Sequence, residues 1–264
     1  MVKKKSFLMD VGLNDLPFPI RVISREDPAG QHTVADIKVR ARILQEFEAC
    51  WIDKFIQILH SHRERIGTDT VGKNVQKYLT ELKATMVIAE FSYPFFIEKL
   101  TPVSREKCLV KYQCSYSARV TATREKPQIL FSITVPIITT YPGSLSEDAG
   151  GLLGQSSEIK LEVRLRENFY PEDLVEMVER HALVPVYSFL TSEDQAWMIK
   201  KIHTECKSSI TVTDEIKNDL AHTKEIEWYK VQCFNYGMLQ HYSTVIGTEK
   251  SMWVPFSGYD SDDV

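Results

Sequence analysis

Val110-Lys111-Tyr112-Gln113-Cys114-Ser115-Tyr116-Ser117-Ala118 is the stretch that decides the fold. Valine, the two tyrosines, cysteine and alanine occupy every second position, with lysine, glutamine and serines between them. Successive side chains of a strand point to opposite faces, so a period of two marks a strand with one buried and one wet face. Arg124-Glu125-Lys126-Pro127 interrupts the pattern and an apolar run returns over residues 129–139, which makes a long antiparallel hairpin. Downstream, residues 159–165 alternate again, and 226–233 with 239–246 read as a closing strand pair. Upstream, residues 1–35 read as an extended, proline-punctuated arm with a turn at Asp27-Pro28-Ala29-Gly30.

Between the strands the period lengthens. Ile43, Phe47, Trp51, Phe55, Ile56 and Leu59 recur at helical spacing, predicting one amphipathic helix over 43–65. Val75, Tyr78, Leu79 and Leu82 predict a second over 71–85. Pro171-Glu172-Asp173 opens a third that runs to His181, with proline in the first turn and acids at the positive helix end. Two more helices are expected over 193–205 and 213–222. Long antiparallel strands interleaved with helices give an α+β class with the helices on one sheet face.

Composition bounds the function. The 264 residues carry a net charge of −4, 43% hydrophobic and 26% charged residues, enough for a sizeable core. A pI near 6.0 argues against nucleic acid or an acidic membrane as partner. Met1-Val2-Lys3-Lys4-Lys5 is basic, but Ser6 to Met9 is too short for a signal-peptide core, and no run approaches the roughly 18 apolar residues of a membrane span. Five cysteines without a Cys-x-x-Cys pair imply a reducing, cytoplasmic setting. One bimodular domain over 1–256 and a disordered acidic tail over 257–264 are expected.

The residues alone offer no catalytic centre. His60 and His62 fall two apart on a predicted helix and face apart. His203 and Cys206 have workable ligand spacing, but two ligands do not make a metal site. His-Glu-x-x-His, a phosphate-binding glycine loop and Gly-x-Ser-x-Gly are all missing, and Gly150-Gly151-Leu152-Leu153-Gly154 reads as a turn.

Four segments, in order and at matching spacing, resemble the type IB GTP cyclohydrolases of the tunnelling-fold superfamily. They are Pro19-Ile20-Arg21-Val22 with Gly30-Gln31-His32-Thr33-Val34-Ala35; Ala89-Glu90-Phe91-Ser92-Tyr93-Pro94-Phe95-Phe96-Ile97-Glu98-Lys99 with Pro102-Val103-Ser104; Val135-Pro136-Ile137-Ile138-Thr139-Thr140-Tyr141-Pro142-Gly143-Ser144; and Trp228-Tyr229-Lys230-Val231. The resemblance implies two fused antiparallel sheet-plus-helix-pair units, subunits that join sheet edges into a barrel, and purine or pterin substrates bound where subunits meet. It also implies a homo-oligomer, most simply a tetramer, and residues 111–121 are expected to be an edge strand with the alternation such pairing needs.

The departures fall on the family's metal site. Where the family has Cys-Pro-Cys-Ser, with its second cysteine on zinc, this chain has Tyr141-Pro142-Gly143-Ser144. The family's Gly-Ala-His-Asn-Gln becomes Gly151-Leu152-Leu153-Gly154-Gln155, an active-site glutamate position becomes Lys200, and a final Glu with His-Asn-His becomes Gly237 with Gln240-His241-Tyr242. Zinc needs thiolate, imidazole or carboxylate donors, usually three from protein at a catalytic site. In the family, zinc activates the water that attacks C8 of the purine before formate is lost. Lowering the pKa of water from about 15.7 to about 7 is worth up to roughly 12 kcal/mol. Ordinary GTP ring opening is therefore not expected, nor is a metal or other cofactor.

The reading this supports is a pocket for a purine-, pterin- or other nitrogen-heterocycle-like small molecule with altered, zinc-independent chemistry. Lys200, His241, Tyr242 and Tyr141 would line it as catalytic groups. Glu215, or else Asp214, would anchor the ring, and Lys99 and Arg105 would meet phosphates. The alternatives are a non-catalytic binding or assembly homologue and a divergent but active cyclohydrolase. Convergence of Lys200, His241 and Tyr242 favours an enzyme; a cavity filled by Leu153 and its neighbours favours a scaffold.

Overall fold

The computed structural model describes residues 8–44, 51–123, 126–146, 150–167 and 169–251. The N-terminal arm is a hairpin of two long strands, β1 (Leu8–Val22) and β2 (Gln31–Leu44). Its turn closes with the Gly30 amide donating to the Asp27 carbonyl at 2.8 Å. Gly30 holds φ at 85°, a backbone state that costs a side-chain-bearing residue energy. Ile37, Val39, Ala41 and Ile43 all bury on one face of β2, so Ile43 continues a strand rather than opening a helix. The first described helix, α1 (Trp51–Ser61), is shorter than the 43–65 expected; α2 (Thr68–Glu81) follows it. The Tyr78 hydroxyl donates to the Phe55 carbonyl at 2.9 Å and ties the two helices together.

β3 (Met86–Leu100) and β4 (Lys107–Thr121) complete the first unit. β5 (Gln128–Thr140) and β6 (Gly154–Leu165) begin the second, followed by α3 (Pro171–His181), the two-residue β7 (Val184–Pro185), α4 (Ser192–Thr204), α5 (Ser209–His222), β8 (Ile226–Tyr236) and β9 (Ser243–Glu249). The sheet runs β1-β2-β3-β4-β5-β6-β8-β9, with β7 beside β5. All the ladders are antiparallel. Two units, one of four strands and one of four strands plus the short β7, each with a helix pair (α1 with α2, α3 with α5), are thus fused at the β4–β5 ladder. α4 is an added helix. Of its residues only Asp194 is fully buried, and its carboxylate accepts from the backbone amides of Val103 and Ser104 at 2.8 and 2.9 Å.

β4 is central, paired with β3 and β5, so residues 111–121 are not an edge. Its exposed alternate residues belong to the open face of the sheet, not to an unpaired side. The outer strands of the described sheet are β1 and β9. Pro94 lies inside β3, but β2 pairing stops at Asp36↔Ser92, and beyond it side chains replace the ladder. Thr33 Oγ1 donates to the Pro94 carbonyl at 2.9 Å, and the Gln31 amide brackets the Phe96 backbone at 2.7 and 2.8 Å. The helix-facing layer carries Phe91, Tyr93, Phe95, Tyr112, Tyr116 and Phe131, all buried. At about 1.5–3 kcal/mol for each large apolar side chain, this aromatic layer is a main source of cohesion. Among the described residues no helix is long and apolar enough to cross a membrane. The tail over 257–264 lies outside the described residues.

Candidate functional site

One end of the second unit departs from the apolar pattern. In β5, Ile133, Val135 and Ile137 face the helices, and Thr139 follows in the same phase. In β6, Gln155 and Ser157 precede Ile159, Leu161 and Val163, and in β8 Asn235 follows Tyr229, Val231 and Cys233. These polar groups are buried and bonded to one another. Thr139 Oγ1 lies 2.9 Å from Ser157 Oγ, Ser157 donates to Asn235 Oδ1 at 2.9 Å, and Gln155 Nε2 donates to Thr139 Oγ1 at 3.2 Å. Asn235 Nδ2 reaches Ser209 Oγ at 3.3 Å and Thr244 Oγ1 at 3.4 Å. Buried polar groups cost energy unless so paired, and a linked set fixes side-chain positions. Burial also pushes the neighbouring Cys233 thiol up to about 12, so it stays protonated and inert.

Above this polar floor lies a cavity of about 400 Å³. Three segments wall it: the turn after β5, the start of α5, and the β8–β9 connection. The turn is fixed by the Tyr141 amide donating to the Leu153 carbonyl at 2.7 Å and by Ser144 Oγ donating to the Tyr141 carbonyl at 2.6 Å. α5 is held to the end of β5 because the Thr140 amide donates to the Lys207 carbonyl and the Lys207 amide donates to Thr140 Oγ1, both at 2.8 Å. Ser208 then caps α5 by accepting from the Thr211 amide at 3.1 Å. Pro142, Leu145, Ile210 and Ile246 make the apolar wall; Tyr141, Gln240 and Tyr242 bring polar tips.

Of the four residues expected to converge, Tyr141 and Tyr242 line this cavity. Lys200 does not: it stands exposed on α4, outside the lining. His241 is also outside it, exposed, with its ring edge-on to Tyr242 at 6.0 Å. Leu153 does not fill the cavity either. Glu215 lies further along α5, where its carboxylate meets Lys207 Nζ at 2.6 Å and His181 Nδ1 at 3.1 Å. Asp214 pairs with Lys217 at 2.9 Å on the helix surface. Neither is in the lining. Lys99 is committed elsewhere: its ammonium is 2.7 Å from Glu179, largely buried, and 4.5 Å above the Tyr187 ring. Glu179 also accepts from the Tyr112 hydroxyl at 2.8 Å; burial first, and then this carboxylate, raise the Tyr112 pKa. Arg105 sits in the β3–β4 turn with φ of 59°. Gln155, Ser209, Asn235 and Gln240 line the cavity without having been singled out as ligand-binding residues.

The lining does not fit a zinc ion, since it presents hydroxyls and amides and carries no thiol, imidazole or carboxylate. Nor do three such groups converge among the described residues. The space at Gly143 is also taken. A Cβ there would stand 2.7 Å from Cε1 of the Tyr141 ring.

The model of the family described as type I GTP cyclohydrolase folE2 matches residues 3–245. The chain belongs to that family. Among its curated relatives, the GTP cyclohydrolase FolE2 of Geotalea uraniireducens is 31% identical over 240 residues, covering 91% of this chain and 87% of that one. The FolE2 of Pelobacter propionicus is 28% identical over 239 residues, covering 90% and 91%. Solved structures establish the fold alone. Arthrobacter globiformis uricase superposes with a TM-score of 0.53 at 7% identity, over 97% of this chain and 99% of that one. A Bacillus fastidious uricase gives 0.53 at 10% identity, over 91% and 92%. The α+β tunnelling fold expected from the sequence is the one observed. Two glycines of the cavity lining each have a neighbour's side chain lying over them: Tyr141 over Gly143 and Gln240 over Gly237.

Proposed function

We propose that this FolE2 family member holds a purine-, pterin- or similar nitrogen-heterocycle ligand in the cavity at the end of its second unit, and acts on it without zinc. One observation carries this: the lining is wholly uncharged, with hydroxyls and amides beside an apolar wall and no metal-donating side chain. Such a surface suits a flat, hydrogen-bonding ring. The proton-carrying groups within reach are the phenols of Tyr141 and Tyr242, so chemistry here would be proton donation to a ring atom rather than attack by a metal-bound hydroxide. The non-catalytic reading has its own support, because Lys200 and His241 stand outside the lining and leave it few titratable groups. We take a homotetramer as the working assembly. β1 and β9 end the described sheet, and Met238, Leu239, Tyr242 and Val245 stand exposed around β9 beside the cavity. The test is native mass spectrometry against a panel of purines, pterins and nucleotides. Retention of a ring compound by the wild-type protein, lost when Ile210 is replaced by aspartate, supports the reading. No retention of any ring compound contradicts it.

A further inference from the structure

Among the described helices α4 is the least covered, with Asp194 its one fully buried residue. It is held at its two ends rather than along a face. Asp194 accepts from the Ser104 hydroxyl at 2.6 Å at the start, and a ring nitrogen of His203 lies 2.7 Å from the Leu152 carbonyl oxygen at the end. A helix of this length draws most of its stability from packing an apolar face. Glu193, Ala196, Trp197, Lys200 and Thr204 fall at i, i+3, i+4, i+7 and i+11, so they form one stripe, and all five are exposed. The indole of Trp197 has only the Lys201 ammonium over it, 5.5 Å from the ring centroid. Among the described residues neither Glu193 nor Lys200 has an ion-pair partner in its own chain. Two turns apart, about 10 Å along the helix, they cannot reach each other.

The stripe is complementary to itself. A copy laid antiparallel across it, about a two-fold axis between Ala196 and Trp197, sets Glu193 against Lys200 of the partner subunit and Lys200 against Glu193 of the partner subunit. In the same register each Trp197 meets Ala196 of the partner subunit, large against small, which suits helix axes about 8–10 Å apart. The rest of α4 follows the same polarity, with Glu193 and Asp194 in the first turn and Lys201 and His203 in the last. A parallel pair would set like charges and like helix ends together.

We infer that α4 is a self-docking helix: two copies of the chain join through an antiparallel α4 pair, Trp197 packing on Ala196 and Glu193 pairing with Lys200 on both sides of the axis. This rests on the tetramer taken above as the working assembly and supplies one of its contacts. Sheet-edge pairing gives one kind; a closed tetramer of two-fold contacts needs a second kind, and each α4 pair then occurs twice. One helix pair is small against the roughly 800 Å² per partner of a standard interface, so the doubling strengthens it. The inference also gives Lys200 a role away from the cavity, where the structure places it.

The experiment is light scattering and sedimentation from nanomolar to micromolar concentration on wild-type protein, Glu193→Lys, Lys200→Glu, the double variant, and an equimolar mixture of the two single variants. Circular dichroism confirms that each is folded. Each single reversal sets like charges together on both sides of the axis. It should raise the dissociation constant of the α4 contact roughly tenfold or more, leaving half the wild-type mass where wild type is whole. The double variant exchanges the signs, and the mixture sets a doubly basic stripe against a doubly acidic one, so both should regain the wild-type mass. Single variants that keep the wild-type mass at every concentration overturn the inference while leaving the tetramer standing. Loss of mass in the single variants with no recovery in the mixture also overturns it, because the two charges are then not opposite each other. A single-chain mass for wild type overturns the inference together with the tetramer.

Discussion

Gly143→Cys restores the thiol that the resemblance expects in the loop after β5, yet the structure predicts strain rather than rescue. An added Cβ would lie 2.7 Å from Tyr141 Cε1, 3.2 Å from Cζ and 3.4 Å from the hydroxyl oxygen. Carbon atoms prefer about 3.5–4.0 Å, so the ring must retreat by about 1 Å. Overpacking of this kind costs about 1–3 kcal/mol, and a half-buried ring at a cavity mouth places the cost near the lower end. An opposing effect comes from the unfolded chain. Gly143 is not among the residues with positive φ, so replacing glycine there gains about 0.4–1 kcal/mol of unfolded-state entropy. A double-mutant cycle separates the two, because the entropy gain is the same with or without the ring. Gly143→Cys should be neutral to destabilising with Tyr141 present and stabilising in a Tyr141→Ala background. The coupling should be about 1 kcal/mol, read as about 2–4 °C in melting temperature for a chain of this size. A cycle that closes to within about 0.3 kcal/mol would refute the claim that the Tyr141 ring occupies this space.

Lys99→Met should destabilise the protein by about 3 kcal/mol, because it leaves Glu179 buried without its cation, and should leave ligand binding unchanged. Denaturant melts beside a titration check this, and a binding loss without a stability loss would return Lys99 to the phosphate-binding role. Acid should loosen the α3–α5 contact. Burial raises the Asp219 carboxyl pKa, but the bonds from His181 and Arg180 outweigh it and leave the pKa lowered. A lowered folded pKa means stability that is present above the ordinary aspartate value of about 3.9 and lost as pH falls through the folded value. Melting temperature should therefore drop below about pH 4, and less steeply in Asp219→Asn. Light scattering at micromolar concentration should give four times the 30.4 kDa chain mass, and a single-chain mass would contradict the edge-paired assembly.

The parts of the fold that show in the sequence are those where one physical pattern dominates. β4 alternates through its whole length, and α3 carries its start signal at Pro171. β3 is less legible in the sequence. Its aromatic run is broken by Pro94, which a central strand tolerates only because Thr33 and Gln31 take over from the missing ladder, a tertiary fact. Ile43 fits a helical period as well as a strand phase, and only its burial beside Val39 and Ala41 decides. In the site, Tyr141 and Tyr242 could be reached through the loop frame, but Lys200 and His241 could not be placed without knowing which way α4 and the β8–β9 connection face. Gln155 and Gln240 stand inside the frames compared with the family, but nothing in those frames marks them as cavity residues. Asn235 lies outside the frames, and its one signal is local: Thr139, Ser157 and Asn235 are polar residues in the buried phase of three neighbouring strands, all at the same end.

Elemental analysis of the purified protein tests the central claim most directly, with the melting temperature followed as chelator is added. An uncharged cavity whose lining offers no thiol, imidazole or carboxylate predicts well under one zinc per chain and no fall in melting temperature. One zinc per chain, removed by chelator with loss of stability, would contradict the account.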